Sequence, residues 1–127
     1  MNIGIVGDTH LPFCHPGYRH VCQDTFLKYG VSQIVHIGDL VDGHALSFFD
    51  HDPNGQSAED EANEAMAQVQ EWYKTFPDAR VCIGNHDARH FRTAQKAGIP
   101  DRYIRKYEEV WRTPKWNWDL EHTIEGV

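Results

Sequence analysis

Gln33-Ile34-Val35-His36-Ile37-Gly38-Asp39 runs from a short apolar stretch straight into glycine and carboxylate. The same passage occurs earlier in Ile3-Gly4-Ile5-Val6-Gly7-Asp8 and later in Arg80-Val81-Cys82-Ile83-Gly84-Asn85. Such runs read as buried strands, here over 2–7, 32–38 and 79–84, and each ends on ligand-type polar residues. Helical patterns separate them. Residues 17–29 put Tyr18, Val21, Cys22, Thr25, Phe26 and Tyr29 on one face, with Gly30 as a C′ stop. Ser57 opens a longer helix with Asp60 as its capping-box partner. Ala58, Ala62, Ala65, Met66, Val69, Trp72, Tyr73 and Phe76 then repeat at three and four until Pro77. Strand, helix, strand, helix, strand with right-handed crossovers predicts an α/β fold built on a parallel sheet.

The remaining elements carry weaker signals. His44 to Phe49 reads as a short helical turn, and Asp52-Pro53-Asn54-Gly55 as a loop. Arg89–Ala97 and Asp101–Trp111 read as two helices broken at Gly98-Ile99-Pro100, and residues 116–120 as the start of a strand. A chain of 127 residues, 40% apolar, is one domain with a single core. It has no membrane-length apolar stretch, and Met1 leads directly into the first strand, so a soluble, cytoplasmic protein is expected. Cys14, Cys22 and Cys82 are not spaced as a zinc or redox motif, and Cys22 and Cys82 read as small buried hydrophobes. Net charge is −7, which repels nucleic acid on average. Acidic residues crowd positions 50–64, whereas Arg89, Arg92, Lys96, Arg102, Arg105, Lys106, Arg112 and Lys115 follow the third apolar run. That basic stretch suits an anionic substrate, and a solvated helical face is an equal alternative.

Chemistry concentrates in Asp8-Thr9-His10, Gly38-Asp39-Leu40-Val41-Asp42 and Gly84-Asn85-His86-Asp87. Each block lies at the carboxyl end of a strand, where open α/β sheets gather their sites. On extended backbone Asp8 and His10 project to the same side and can reach one cation. Asp42 either steadies a ligand or caps the turn that begins near Gly43. His36, inside a strand, reads as a packed, hydrogen-bonded core residue. His44 and His90, close in sequence to the blocks, read as exposed polar residues, with a place lining the cleft as the alternative.

The order and spacing of the three blocks resemble the calcineurin-like metallophosphoesterases, whose pattern runs D-x-H, G-D-x-x-D and G-N-H-[DE]. The resemblance implies the first half, βαβαβ, of an α/β/β/α sandwich, with most of the second sheet missing. Asp8, His10 and Asp39 would then hold one divalent cation, and Asp39 with Asn85 part of a second, such pairs lying about 3.5–4 Å apart. Mn²⁺ is the first expectation, with Fe, Zn, Ni or Mg as alternatives. His86 would protonate the leaving alkoxide or stabilise the transition state, Asp87 would bond its other ring nitrogen, and Asp42 would orient a ligand. Arg89 or Arg92 would hold the substrate phosphate.

The family's later histidine blocks do not occur through Val127. A phosphomonoesterase or phosphodiesterase working through a metal-activated hydroxide is therefore expected to be weak or inactive unless a second chain completes the site. The alternatives are a non-catalytic metal-binding or association protein and a nuclease-type phosphodiesterase. The sheet face left bare by the missing half would be covered by a second copy, in a homo-oligomer, or belong to a longer protein.

Overall fold

The three apolar runs pair as parallel strands, and a fourth joins them. The computed structural model describes residues 1–47 and 53–127. β1 (Asn2–Val6), β2 (Val31–His36), β3 (Arg80–Cys82) and β4 (Asn117–Asp119) form one sheet in sequential order. Register runs Val6 to His36, His36 to Val81 and Val81 to Trp118, so these residues form a row across the sheet. Each crossover steps one strand in the same direction. Right-handed connections of that kind put α1 (Tyr18–Lys28) and α2 (Ala58–Thr75) on the same face of the sheet.

The core lies between those helices and that face. Val6, Val69, Trp72, Phe76, Val81 and Trp116 belong to one buried cluster. Phe26 of α1 meets Phe76 at 5.6 Å between ring centroids, and Trp72 meets Phe76 at 5.8 Å. Trp116 is also anchored through its indole N–H, which donates to the Phe76 carbonyl at 2.6 Å. α2 opens as its sequence directs, with the Ser57 hydroxyl accepting the Asp60 N–H. Its buried line is Glu61, Ala65, Val69 and Trp72, whereas Ala58 and Ala62 are exposed. The predicted stripe is thus too wide at its N-terminal end. α1 is narrower too: Tyr18, Cys22 and Phe26 pack inward while Val21 and Tyr29 face solvent.

Downstream the helical expectations hold in part. α3 (Arg89–Lys96) forms, but 101–111 is not one helix. Asp101–Tyr103 is a 3-10 turn, Ile104 and Lys106 are extended, and α4 is a single turn at Tyr107–Val110. Residues 101–106 have too little apolar periodicity to stabilise a helix by burial. His44–Leu46 makes one 3-10 turn, and the expectations at Phe49 and at Asp50, His51 and Asp52 lie outside the described residues. β3 is shorter than its apolar run, because the chain turns toward the site after Ile83.

Among the described residues, the opposite face of the sheet is covered only at one side. Ile124 is buried there, His122 Nε2 lies 3.1 Å from the Val81 carbonyl, and Arg80 donates to the Thr123 carbonyl. Cys82 is accordingly half-buried beside that tail rather than in the core. Across the rest, Ile5 and Ile37 are 64% and 57% exposed. Side chains this open contribute little to folding, so Ile5→Thr with Ile37→Thr is expected to change unfolding free energy in urea by less than about 1 kcal/mol. A loss of about 3 kcal/mol or more would show that a second copy or another segment covers this face in solution.

Candidate metal centre

Pairing does not stop where β1 and β2 end. Asp8 N–H donates to the Gly38 carbonyl, His10 N–H to Asp39, Leu11 N–H to Leu40, and Asp42 N–H back to Leu11. The two loops therefore run on side by side, and Leu11, Leu40 and Val41 beneath them are almost fully buried. Within that ladder the backbone is contorted. Asp8, His10 and Asp39 all have positive φ, at 52°, 45° and 55°. Asp and His tolerate this region better than most residues, yet each such position costs of order 1 kcal/mol and such strain clusters at functional sites. Asp8 and His10 thus converge through left-handed turns, not through the strand alternation expected of them.

The side chains meet at His10. Its Nε2 lies 3.5 Å from Asp8 Oδ1 and 3.9 Å from Asp39 Oδ2. One ligand atom from each of Asp8, His10 and Asp39 falls within 4.8 Å of the others. The opposite ring nitrogen, Nδ1, is 2.9 Å from Asp42 Oδ1. A carboxylate can only accept, so Nδ1 carries the proton and Nε2 keeps its lone pair for a cation. His10, Asp42 and His86 form a second close group. There the Asp42 oxygen sits at hydrogen-bond distance from His10, which makes that group a support for the ligand rather than a cavity for an ion. Asp42 is not a helix cap; Gly43 occupies that position.

The third loop is locked to the second from below. Asp87 is 1% exposed, and its two oxygens accept the N–H groups of Val41 and Gly84 at 3.0 and 2.8 Å. Burial pushes its carboxyl pKa up, against the pull of those N–H groups. Asp87 therefore does not orient the His86 ring, as the sequence suggested. In the tight turn 84–88 neighbouring side chains diverge, and His86 Nδ1 instead lies 3.0 Å from the Asp42 carbonyl. His86 N–H donates to Asp39 Oδ1 at 2.8 Å. Any side chain at Gly84 would collide with Asp39, and Gly38 packs tightly against Gly84 at φ 114°, a conformation that favours glycine. Asn85 is exposed, and its carbonyl accepts Arg92 Nη2 at 2.7 Å. Arg89 Nη1 donates to the Asp42 carbonyl at 2.8 Å, and its Nη2 lies 3.4 Å from His86 Nε2.

The family model for calcineurin-like phosphoesterases matches residues 1–122. The chain belongs to that family. No curated protein and no solved structure matches it. The family is divalent-metal-dependent and acts on phosphate esters, and the Asp/His cluster of this phosphoesterase is a site able to take such a cation. No described helix is long and apolar enough to cross a membrane.

One residue of the phosphoesterase site was not singled out by its sequence. Thr9, between Asp8 and His10, is 1% exposed and donates to the Leu40 carbonyl at 2.8 Å. Its Oγ1 is 3.1 Å from His36 Nε2, while His36 Nδ1 accepts the Gly38 N–H. His36 is thus the packed core residue its strand position implied, and it props up the D-x-H turn. Only its burial could have been read from sequence, since the contact joins two chain segments. Burial lowers the His36 pKa from 6.5 to about 4. The unfolded chain therefore binds the proton more readily. The stability this histidine contributes is complete above pH 6.5 and is lost as pH falls toward 4, by up to about 3 kcal/mol. Urea titrations of metal-free protein between pH 7.5 and 4.5 are expected to show this loss, and a His36→Gln variant a flatter slope.

Proposed function

We propose that the chain hydrolyses phosphate mono- or diesters with one divalent cation seated among Asp8, His10 Nε2 and Asp39, and with Asn85 at the rim. The observation that supports this most is the division of His10, with one ring nitrogen held by Asp42 and the other facing two carboxylates. Two carboxylates and an imidazole suit Mn²⁺ first, with Fe, Zn, Ni or Mg as alternatives. A cation bound there would acidify water and offset charge on the phosphoryl oxygens.

The protein's own groups supply the rest. The Asp8 side chain is 72% exposed, which leaves the cluster open to substrate and water. Asp39 is divided between Oδ1, which holds the His86 backbone, and Oδ2, which faces the cation position. A second cation would find few ligands, so weak activity is part of the proposal. His86 donates through Nδ1 to a carbonyl, so Nε2 is the atom that would face a leaving alkoxide, to which it gives a proton only from the doubly protonated ring. Arg92 bonds to a backbone carbonyl, which leaves its charge available to a phosphate, whereas Arg89 is also paired with the Asp42 carboxylate at 3.8 Å.

Added Mn²⁺ is expected to give slow turnover of nitrophenyl phosphate or bis(nitrophenyl) phosphate that a chelator abolishes. Asp39→Ala should remove it, and His86→Gln should lower kcat about 100-fold. Turnover that persists in chelator, or that survives both substitutions, overturns the proposal. Cation binding without hydrolysis of either ester or of single-stranded DNA would leave a binding role. Calorimetry should show one cation per chain, bound about 10–100-fold more weakly by Asp42→Ala, which removes the acceptor on His10 Nδ1.

A further inference from the structure

His86 and Arg89 have a second side. Away from the cation cluster they help wall a cavity of about 120 Å³. Leu11, Val41, Leu46, Ala65 and Val110 form the apolar part of its wall. Space on this scale is that of a single ring, since an apolar cavity of about 150 Å³ takes a benzene-sized guest.

The charged part of its wall gives this cavity a preference. Glu61 lines it and is 6% exposed, one oxygen accepting the Ala45 N–H. Together with Asp87, which also lines the cavity, it outnumbers the Arg89 guanidinium there and disfavours a phosphate over a neutral group. Trp111 lines it too and is 8% exposed, and its indole Nε1 is buried without a hydrogen-bond partner. The same holds for Nε2 of His90, a residue packed against Phe91 and Tyr107 rather than exposed as its sequence suggested. Neither nitrogen has accessible surface, so both lie behind the wall and neither offers a hydrogen bond to an occupant.

We infer that this cavity receives the organic group of the ester, a neutral ring of single-phenyl size, while the phosphate stays with the Asp8–His10–Asp39 cluster. The inference rests on the phosphoesterase reading above, in which the leaving oxygen departs toward His86, the residue common to both compartments.

Ala58 and Ala62 sit at the cavity on exposed positions of α2, so Ala62→Phe, or Ala58→Phe as a second variant, can fill it without touching a ligand of the cluster. Phenol titrated into metal-free protein should shift the Trp111 indole N–H resonance, and either variant should abolish the shift. No shift in the unaltered protein overturns the inference, whatever the activity. With Mn²⁺, the ratio of kcat/KM for phenyl phosphate to that for methyl phosphate should fall about tenfold in the variants; comparing ratios cancels the difference in leaving-group reactivity. An unchanged ratio, with the shift present, overturns the assignment of the cavity to the ester. If neither ester is hydrolysed while the shift remains, the phosphoesterase reading fails and the ester part of this inference fails with it.

Discussion

The ladder that continues past the ends of β1 and β2 is the constraint on which the site depends. Backbone bonds from Asp8, His10, Leu11 and Asp42 fasten one ligand loop to the other. They hold three residues at positive φ that would otherwise relax. Each strained position costs of order 1 kcal/mol, and the ladder, with Leu11 and Leu40 buried beneath it, offsets that cost. The ladder thereby keeps Asp8, His10 and Asp39 together through the backbone itself.

Asp42 is the junction of this arrangement. Its carboxylate holds His10, its carbonyl holds both His86 and Arg89, and Arg89 Nη1 lies 3.8 Å from its second oxygen. One residue therefore holds the rings of His10 and His86 and the guanidinium of Arg89 in place. Asp87 plays a complementary part from the interior, joining the second and third loops through two backbone N–H groups. The two carboxylates differ in role because one is buried under the loops and the other faces the cleft.

The helix face and the site are linked through α2. Glu61 accepts the Ala45 N–H, so the helix that packs on the sheet also fixes the 3-10 turn beside Asp42. Four residues on, Ala65 starts the line that continues through Val69 and Trp72 into the core. Burial of that line therefore has a consequence for chemistry as well as for stability.

Much of this was legible in the chain. The Ile- and Val-rich runs fix three parallel strands, and the blocks Asp8-x-His10, Gly38-Asp39 and Gly84-Asn85-His86 mark their carboxyl ends. Ser57 and the spacing from Ala65 to Trp72 mark α2 and its buried side, and position inside a strand marks His36 as core. Periodicity can say this much because it reports which face and which end of an element a residue occupies. It cannot say which of several polar atoms within 3–4 Å become partners. That Asp42 rather than Asp87 holds His86, that Thr9 bridges His36 and Leu40, and that Arg89 turns to a carbonyl were decided by contacts 27 to 47 residues apart in sequence. Left-handed turns at Asp8, His10 and Asp39 set those contacts, and only packing of the whole chain makes such turns affordable.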